Sequence, residues 1–251
     1  MTSGLVLTAI VSLTAGCDPL NLDGDWTWGD EGHARFQIDD GLCPGLGGCD
    51  MHVPLAAGSD PRFEIEAPCC PASDLEVTGT GAATVTDSQA GSDNDRLFVD
   101  VALGPAGDAS LEVTDLADSS RSDHIALDVR EPARIECGVV GDQRLYDFAD
   151  LRVVEETTEA PVFASGATGD VEVACRLFDD GDAALLSAGL IHWTIVEGSE
   201  PVTIDPGGFA AQQRATDGAR VYVRFSQPGE TALLRASAGE DLSWTIMITV
   251  E

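Results

Sequence analysis

The chain repeats itself: its second half answers its first in short alternating blocks. Arg96-Leu97-Phe98-Val99-Asp100-Val101 lines up with Arg220-Val221-Tyr222-Val223-Arg224-Phe225. Gly107-Asp108-Ala109-Ser110-Leu111 answers Gly229-Glu230-Thr231-Ala232-Leu233, and Ile125, Leu127 and Val129 answer Ile246, Ile248 and Val250. Upstream, Leu75-Glu76-Val77 corresponds to Trp193-Thr194-Ile195, and Val85-Thr86-Asp87 to Ile204-Asp205. Apolar residues fall at every second position in these blocks, which is the period of a strand with one face buried. A repeat of about a hundred residues built from several short strands implies two β-sandwiches in tandem.

The rest of the chain agrees with an all-β reading. Phe63-Glu64-Ile65 and Val171 to Leu177 alternate in the same way, and Gly, Pro, Asp and Ser fill the gaps as turns require. Ala183-Ala184-Leu185-Leu186 has the composition of a helical turn but is too short to change the class. At 251 residues the chain is long enough to close two cores. Residues 21–131 are expected to form the first sandwich, with a cysteine-rich start, and residues 132–251 the second.

Residues 160–251 resemble bacterial immunoglobulin-like domains. The resemblance is carried by Gly169-Asp170-Val171-Glu172-Val173, the turn Phe178-Asp179-Asp180-Gly181, Trp193 on a central strand, Gly218-Ala219-Arg220-Val221-Tyr222-Val223, and the turn Pro228-Gly229-Glu230-Thr231-Ala232. The first half shares the closing pattern. This resemblance implies an immunoglobulin-like fold, with adhesive or other cell-surface roles, and names no partner.

The N-terminus reads as an address. Residues 1–16 carry no charged side chain, and Leu5 to Leu13 has the length of a signal-peptide core, too short to span a bilayer. Leu13-Thr14-Ala15-Gly16-Cys17 resembles the lipobox of bacterial lipoproteins, although no Lys or Arg precedes it and Thr14 stands where Leu is commoner. The resemblance implies cleavage before Cys17 and acylation of its thiol. Residues 17–20 would then be a short lipidated tether, holding the protein to the inner or outer membrane on its extracytoplasmic side. Several acyl chains together give stable anchoring.

Removing Cys17 leaves six cysteines, an even number that favours disulfides in an exported protein. Cys137 and Cys175 are alone in the second half and are expected to pair. Cys43, Cys49, Cys69 and Cys70 lie in turn-rich sequence of the first half. Adjacent cysteines seldom bond to each other, so Cys69 and Cys70 would each reach back to Cys43 or Cys49, in either combination. The competing reading is a soft metal site built from Cys43, Cys49, His52, Cys69 and Cys70, although Cys-x5-Cys-x2-His is not a standard zinc spacing.

Charge excludes one class of partner. There are 44 acidic residues against 13 basic ones, all Arg, for a net charge of −31. Residues 21–131 hold 23 acidic and 5 basic residues, and residues 132–251 hold 20 and 8. Such a surface repels nucleic-acid phosphates and anionic headgroups, so membrane attachment must come through the lipid. Asp23-Gly24-Asp25, Ser92-Asp93-Asn94-Asp95 and Asp179-Asp180-Gly181-Asp182 are oxygen-rich loops, but none has EF-hand spacing. They read first as solvated turns.

Nothing in the sequence points to catalysis. His33, His52, His124 and His192 lie outside any nucleophile motif, and there is no Gly-x-Ser-x-Gly, His-Glu-x-x-His or phosphate-binding loop. No cofactor is expected. The sequence therefore points to a non-enzymatic cell-envelope lipoprotein serving as a spacer or interaction module, with a protein or polysaccharide partner. The alternative is a small-ligand module, binding metal at the cysteine cluster or carbohydrate at Trp26 and Trp28, whose period-2 spacing sets both rings on one face.

Overall fold

The computed structural model describes residues 26–38, 51, 53–68, 70–140, 151–153, 162–163, 170–198, 203–205 and 220–250. Every extended regular element in them is a strand, and one 3-10 turn, Ala72–Asp74, interrupts the series.

The first sandwich contains β1 (Thr27–Trp28), β2 (Arg35–Ile38), β3 (Leu55–Ala56), β4 (Arg62–Glu66), β5 (Leu75–Gly81), β6 (Ala83–Ala90), β7 (Leu97–Leu103), β8 (Gly107–Asp115) and β9 (Ser122–Arg130). The second contains β10 (Arg134–Val140), β11 (Leu151–Val153), β12 (Val162–Phe163), β13 (Asp170–Phe178), β14 (Ala184–Leu185), β15 (Ile191–Gly198), β16 (Thr203–Asp205), β17 (Arg220–Arg224), β18 (Thr231–Ala238) and β19 (Leu242–Val250).

The two halves share one topology. In the first, β2-β4-β7-β6 faces β3-β9-β8-β5; in the second, β10-β13-β17-β16 faces β12-β19-β18-β15. The short strands β3 and β12 pair in parallel with the last strand of their sandwich, β9 and β19. A four-stranded sheet opposed to the closing strands, with antiparallel pairing elsewhere, is the immunoglobulin arrangement. The chain is thus an all-β protein of two tandem immunoglobulin-like sandwiches.

Alternation explains the burial. Ala109, Leu111 and Val113 on β8 face inward with Ile125, Leu127 and Val129 on β9, against Phe36, Phe63, Ile65 and Val99 of the opposite sheet. In the second sandwich Leu234, Ile246 and Ile248 pack on Val173, Val221 and Val223. Each fully buried Leu, Ile or Phe contributes roughly 1.5–3 kcal/mol. Trp193 and Trp244 are half-buried against both clusters of the second core.

Three details differ from the sequence reading. Leu111 pairs with Ile125, and Leu234 with Ile246, so Leu111 answers Leu234 rather than Leu233. Val77 lies opposite Val113, and Trp193 opposite Ala236, so Val77 answers Trp193 and Leu75 answers Ile191. Turns of unequal length hide such shifts from an ungapped alignment. Ala184–Leu185 is a short strand pairing with Leu177 and Phe178, not a helical turn.

Candidate functional site

The two sandwiches are interlocked where the segment around β3 meets the connection after β14. Leu55 and Leu186 form a parallel bridge. The Ala56 amide donates to the Leu186 carbonyl at 2.8 Å, the Leu186 amide to the Pro54 carbonyl at 2.9 Å, and the Asp60 amide to the Ala188 carbonyl at 2.8 Å. Leu186 is buried in the first core, and Ala56 in the second. Each half therefore fills a place in the other's interior. Gly58 turns the chain here with φ +80°, a conformation that favours glycine.

An ion pair closes the same joint. Arg130, at the end of β9, donates to Asp179 at 2.7 Å and also pairs with Asp128. The Gly181 and Ala183 amides donate to the other oxygen of Asp179. Arg130, then the Ala183 amide, hold the Asp179 carboxyl below the usual carboxylate range. Arg134 binds Asp182 at 2.8 Å. Two carboxylates of this oxygen-rich loop are thus engaged by guanidinium groups and amides rather than gathered around a cation centre. In the loop at 92–95, Asn94 accepts from the Ser73 amide and donates to the Ser73 hydroxyl, pinning the 3-10 turn.

The outer face of β1-β2-β4-β7-β6 carries the tryptophans singled out in the sequence. The Arg35 guanidinium lies 5.2 Å from the Trp26 ring centroid and 5.6 Å from that of Trp28. Arg35 also binds Glu66 at 2.6 Å. Arg96 lies 5.8 Å from the Trp26 centroid and binds Glu64 at 2.7 Å. The Gln37 amide donates to the other Glu64 oxygen. Arg62 binds Asp100 at 2.9 Å and lies over Phe98. Three arginines and three carboxylates thus cancel on a face with aromatic rings, in a chain of net charge −31. Trp28 remains 46% exposed. The Trp–Arg stacking went unseen in the sequence because it depends on the register of β1 against β2.

A crevice at the end of the first sandwich is lined by His33, Cys70, Arg121 and Asp123 among others, with room for about one water. Asp123 is 2% exposed and accepts the amides of Glu31, His33 and Ala34 at 2.7–2.8 Å. This carboxylate organises the β1–β2 hairpin. A Cβ on Gly29 would lie 2.3 Å from its oxygen, so the close approach requires glycine. His124 binds Asp30 at 2.9 Å across the same hairpin.

Cys137 and Cys175 lie directly opposite each other on β10 and β13, buried, with their sulfurs bonded. Cys70 is half-buried against the first core. Cys17, Cys43, Cys49, Cys69 and His52 lie outside the described residues. No group of three or more His, Cys, Asp or Glu among the described residues could hold a metal ion, and no described helix is long and apolar enough to cross a membrane.

No family model matches the sequence, and no curated protein matches it. Among solved structures, domains 5–6 of the S-layer protein SbsC overlay with TM-score 0.32 at 14% identity, covering 80% of this chain and 94% of that one. FdeC, an Escherichia coli adhesin, gives 0.28 at 13% identity over 91% of this chain and 66% of its own. Invasin, a bacterial integrin-binding protein, gives 0.30 at 9% identity over 87% and 40%.

Proposed function

We propose that this chain is a non-enzymatic cell-envelope lipoprotein, anchored through Cys17, whose sandwiches at 21–131 and 132–251 act as a stiff extracytoplasmic spacer. The observation that carries the reading is the interlocked joint. A flexible string of domains needs no side chain from one core buried in the other, whereas a rod that must hold its far end at a fixed distance does. The surface charge suits such a part, because it discourages collapse onto anionic lipid.

Intact mass of protein extracted from its own membranes tests the anchor. Loss of residues 1–16 with added acyl chains is expected, and an unacylated chain starting at Met1 overturns it. Spin labels on the two sandwiches test the spacer. One narrow distance distribution is expected, and a broad one removes the role.

A second reading is favoured by Trp28, which is exposed on a face whose charges are paired. A neutral polysaccharide would stack there without meeting the acidic field. Retardation of the protein in polysaccharide-containing gels, lost in Trp28→Ala, would support it; equal mobility of both proteins in every gel would end it.

A further inference from the structure

The duplication supplies its own control, because the same face can be compared in both sandwiches. The register places Glu76, Asp108 and Glu112 of the first sandwich where the second has His192, Thr231 and Arg235. The outer face of β5-β8-β9 is acidic, whereas that of β15-β18-β19 has lost all three carboxylates. At the same time Ser110 gives way to Leu233 and Ala126 to Met247, while Thr80 is answered by Glu197 across a bulge that adds Val196. Val196 is 50% and Met247 38% exposed. Two small or hydroxylated positions have become apolar and the bulge adds Val196, on the open side of a sheet whose core side is already filled by Leu234 and Ile246.

Arg235 adds a second peculiarity. Arg35, Arg62, Arg96, Arg121, Arg130 and Arg134 each hold a carboxylate. Arg235 is exposed and has no ion pair among the described residues. Among the described residues, the only carboxylate along this face is Glu197, at the bulge of β15 one row away. Arg and Met enrichment with acid depletion is the composition of a protein interface. The exposed apolar groups are aliphatic, so the face suits a protein surface better than a sugar ring.

We propose that this face is where two copies of the chain meet, sheet against sheet. A cationic partner would be drawn to the acidic surfaces elsewhere, not to a face that keeps a single carboxylate beside an arginine. A partner bearing the same negative charge approaches most readily where carboxylates are fewest and can be paired. A two-fold axis lying in the interface sets Arg235 of each copy against Glu197 of the other. Three strands at ~4.8 Å spacing and eight residues at ~3.3 Å give a footprint of roughly 380 Å² per copy. That is below the ~800 Å² per partner of a standard interface, so the association is weak and opposed by overall charge.

The test is sedimentation equilibrium of the full chain in density-matched detergent, at low salt and at about 1 M salt, where the Debye length falls to ~3 Å. The weight-average mass should rise toward twice the monomer with concentration, and more readily at high salt. The variant Leu233→Ser/Arg235→Glu/Met247→Ala, which installs the first sandwich's residues on the outer face, should stay monomeric with a melting profile close to that of the wild type. Arg235→Glu alone should weaken association at least tenfold. A wild-type monomer under all conditions overturns the proposal and leaves the face to a different protein; association of the triple variant equal to wild type overturns it as well. Neither outcome bears on the Cys17 anchor.

Discussion

Arg130 reaches across the boundary between the two sandwiches and donates to Asp179 at 2.7 Å. Because this contact lowers the Asp179 pKa in the folded protein, its stabilising contribution is present above the unfolded carboxylate pKa, ~3.9. It is lost as pH falls through the lower folded value. Acidification below about pH 4 should therefore loosen the joint, and Asp179→Asn should show the loosened behaviour already at neutral pH. Interdomain distances measured against pH would check this: widening on acidification in wild type is expected, and identical profiles for the two proteins would contradict it.

Leu186 belongs to the second half by sequence and to the first core by packing. Leu186→Ala should cost about 2–4 kcal/mol, the range for truncating a buried leucine. The first sandwich should bear much of that loss, and a shared calorimetric transition should split in two. A loss confined to the second sandwich would mean that the interlock carries no energy between them.

Asp123 accepts three amides of the β1–β2 hairpin from a buried position. Asp123→Ala leaves those donors without an acceptor and should cost about 2–3 kcal/mol in urea unfolding. Gly29→Ala should be harmful for a different reason, since its Cβ would press on the Asp123 carboxylate. A variant combining both changes should lose less than the sum, because removing the carboxylate removes the clash.

The Cys137–Cys175 bond closes a loop with a sequence separation of 38. On chain-entropy grounds its reduction should cost about 4 kcal/mol. The Cys137→Ala/Cys175→Ala chain should lose stability in its second sandwich, and a reducing agent should not lower that variant's melting temperature further through this pair.

What was legible in the sequence followed from side-chain alternation. Leu97, Val99 and Val101 announce a strand because every second residue is apolar, and the match to Val221, Val223 and Phe225 announces a second copy. What was not legible depends on how strands lie against one another. The shift that pairs Leu234, not Leu233, with the Leu111 position comes from unequal turns. The destination of Leu186 is a tertiary fact, since a buried leucine looks the same in either core. Asp123 stood among 44 acidic residues, and only the hairpin wrapped around it separates it from the rest. The polarity reversal between Glu112 and Arg235 became visible once the register was fixed.

Arg35 turns a pair of tryptophans into a stack, and its removal separates two roles for that face. Arg35 packs near both rings and neutralises Glu66. If the stack mainly holds β1 against β2, Arg35→Ala should destabilise the first sandwich by about 1–2 kcal/mol, within the range for partly desolvated cation–π contacts. Arg35→Lys should recover only part of this, because an ammonium keeps the charge but lacks the planar group that lies flat on indole. The tryptophan emission should shift to longer wavelength in both variants as water reaches the rings. A stable Arg35→Ala protein with unshifted emission would show that the rings are held by something other than Arg35, leaving the guanidinium free to meet a ligand.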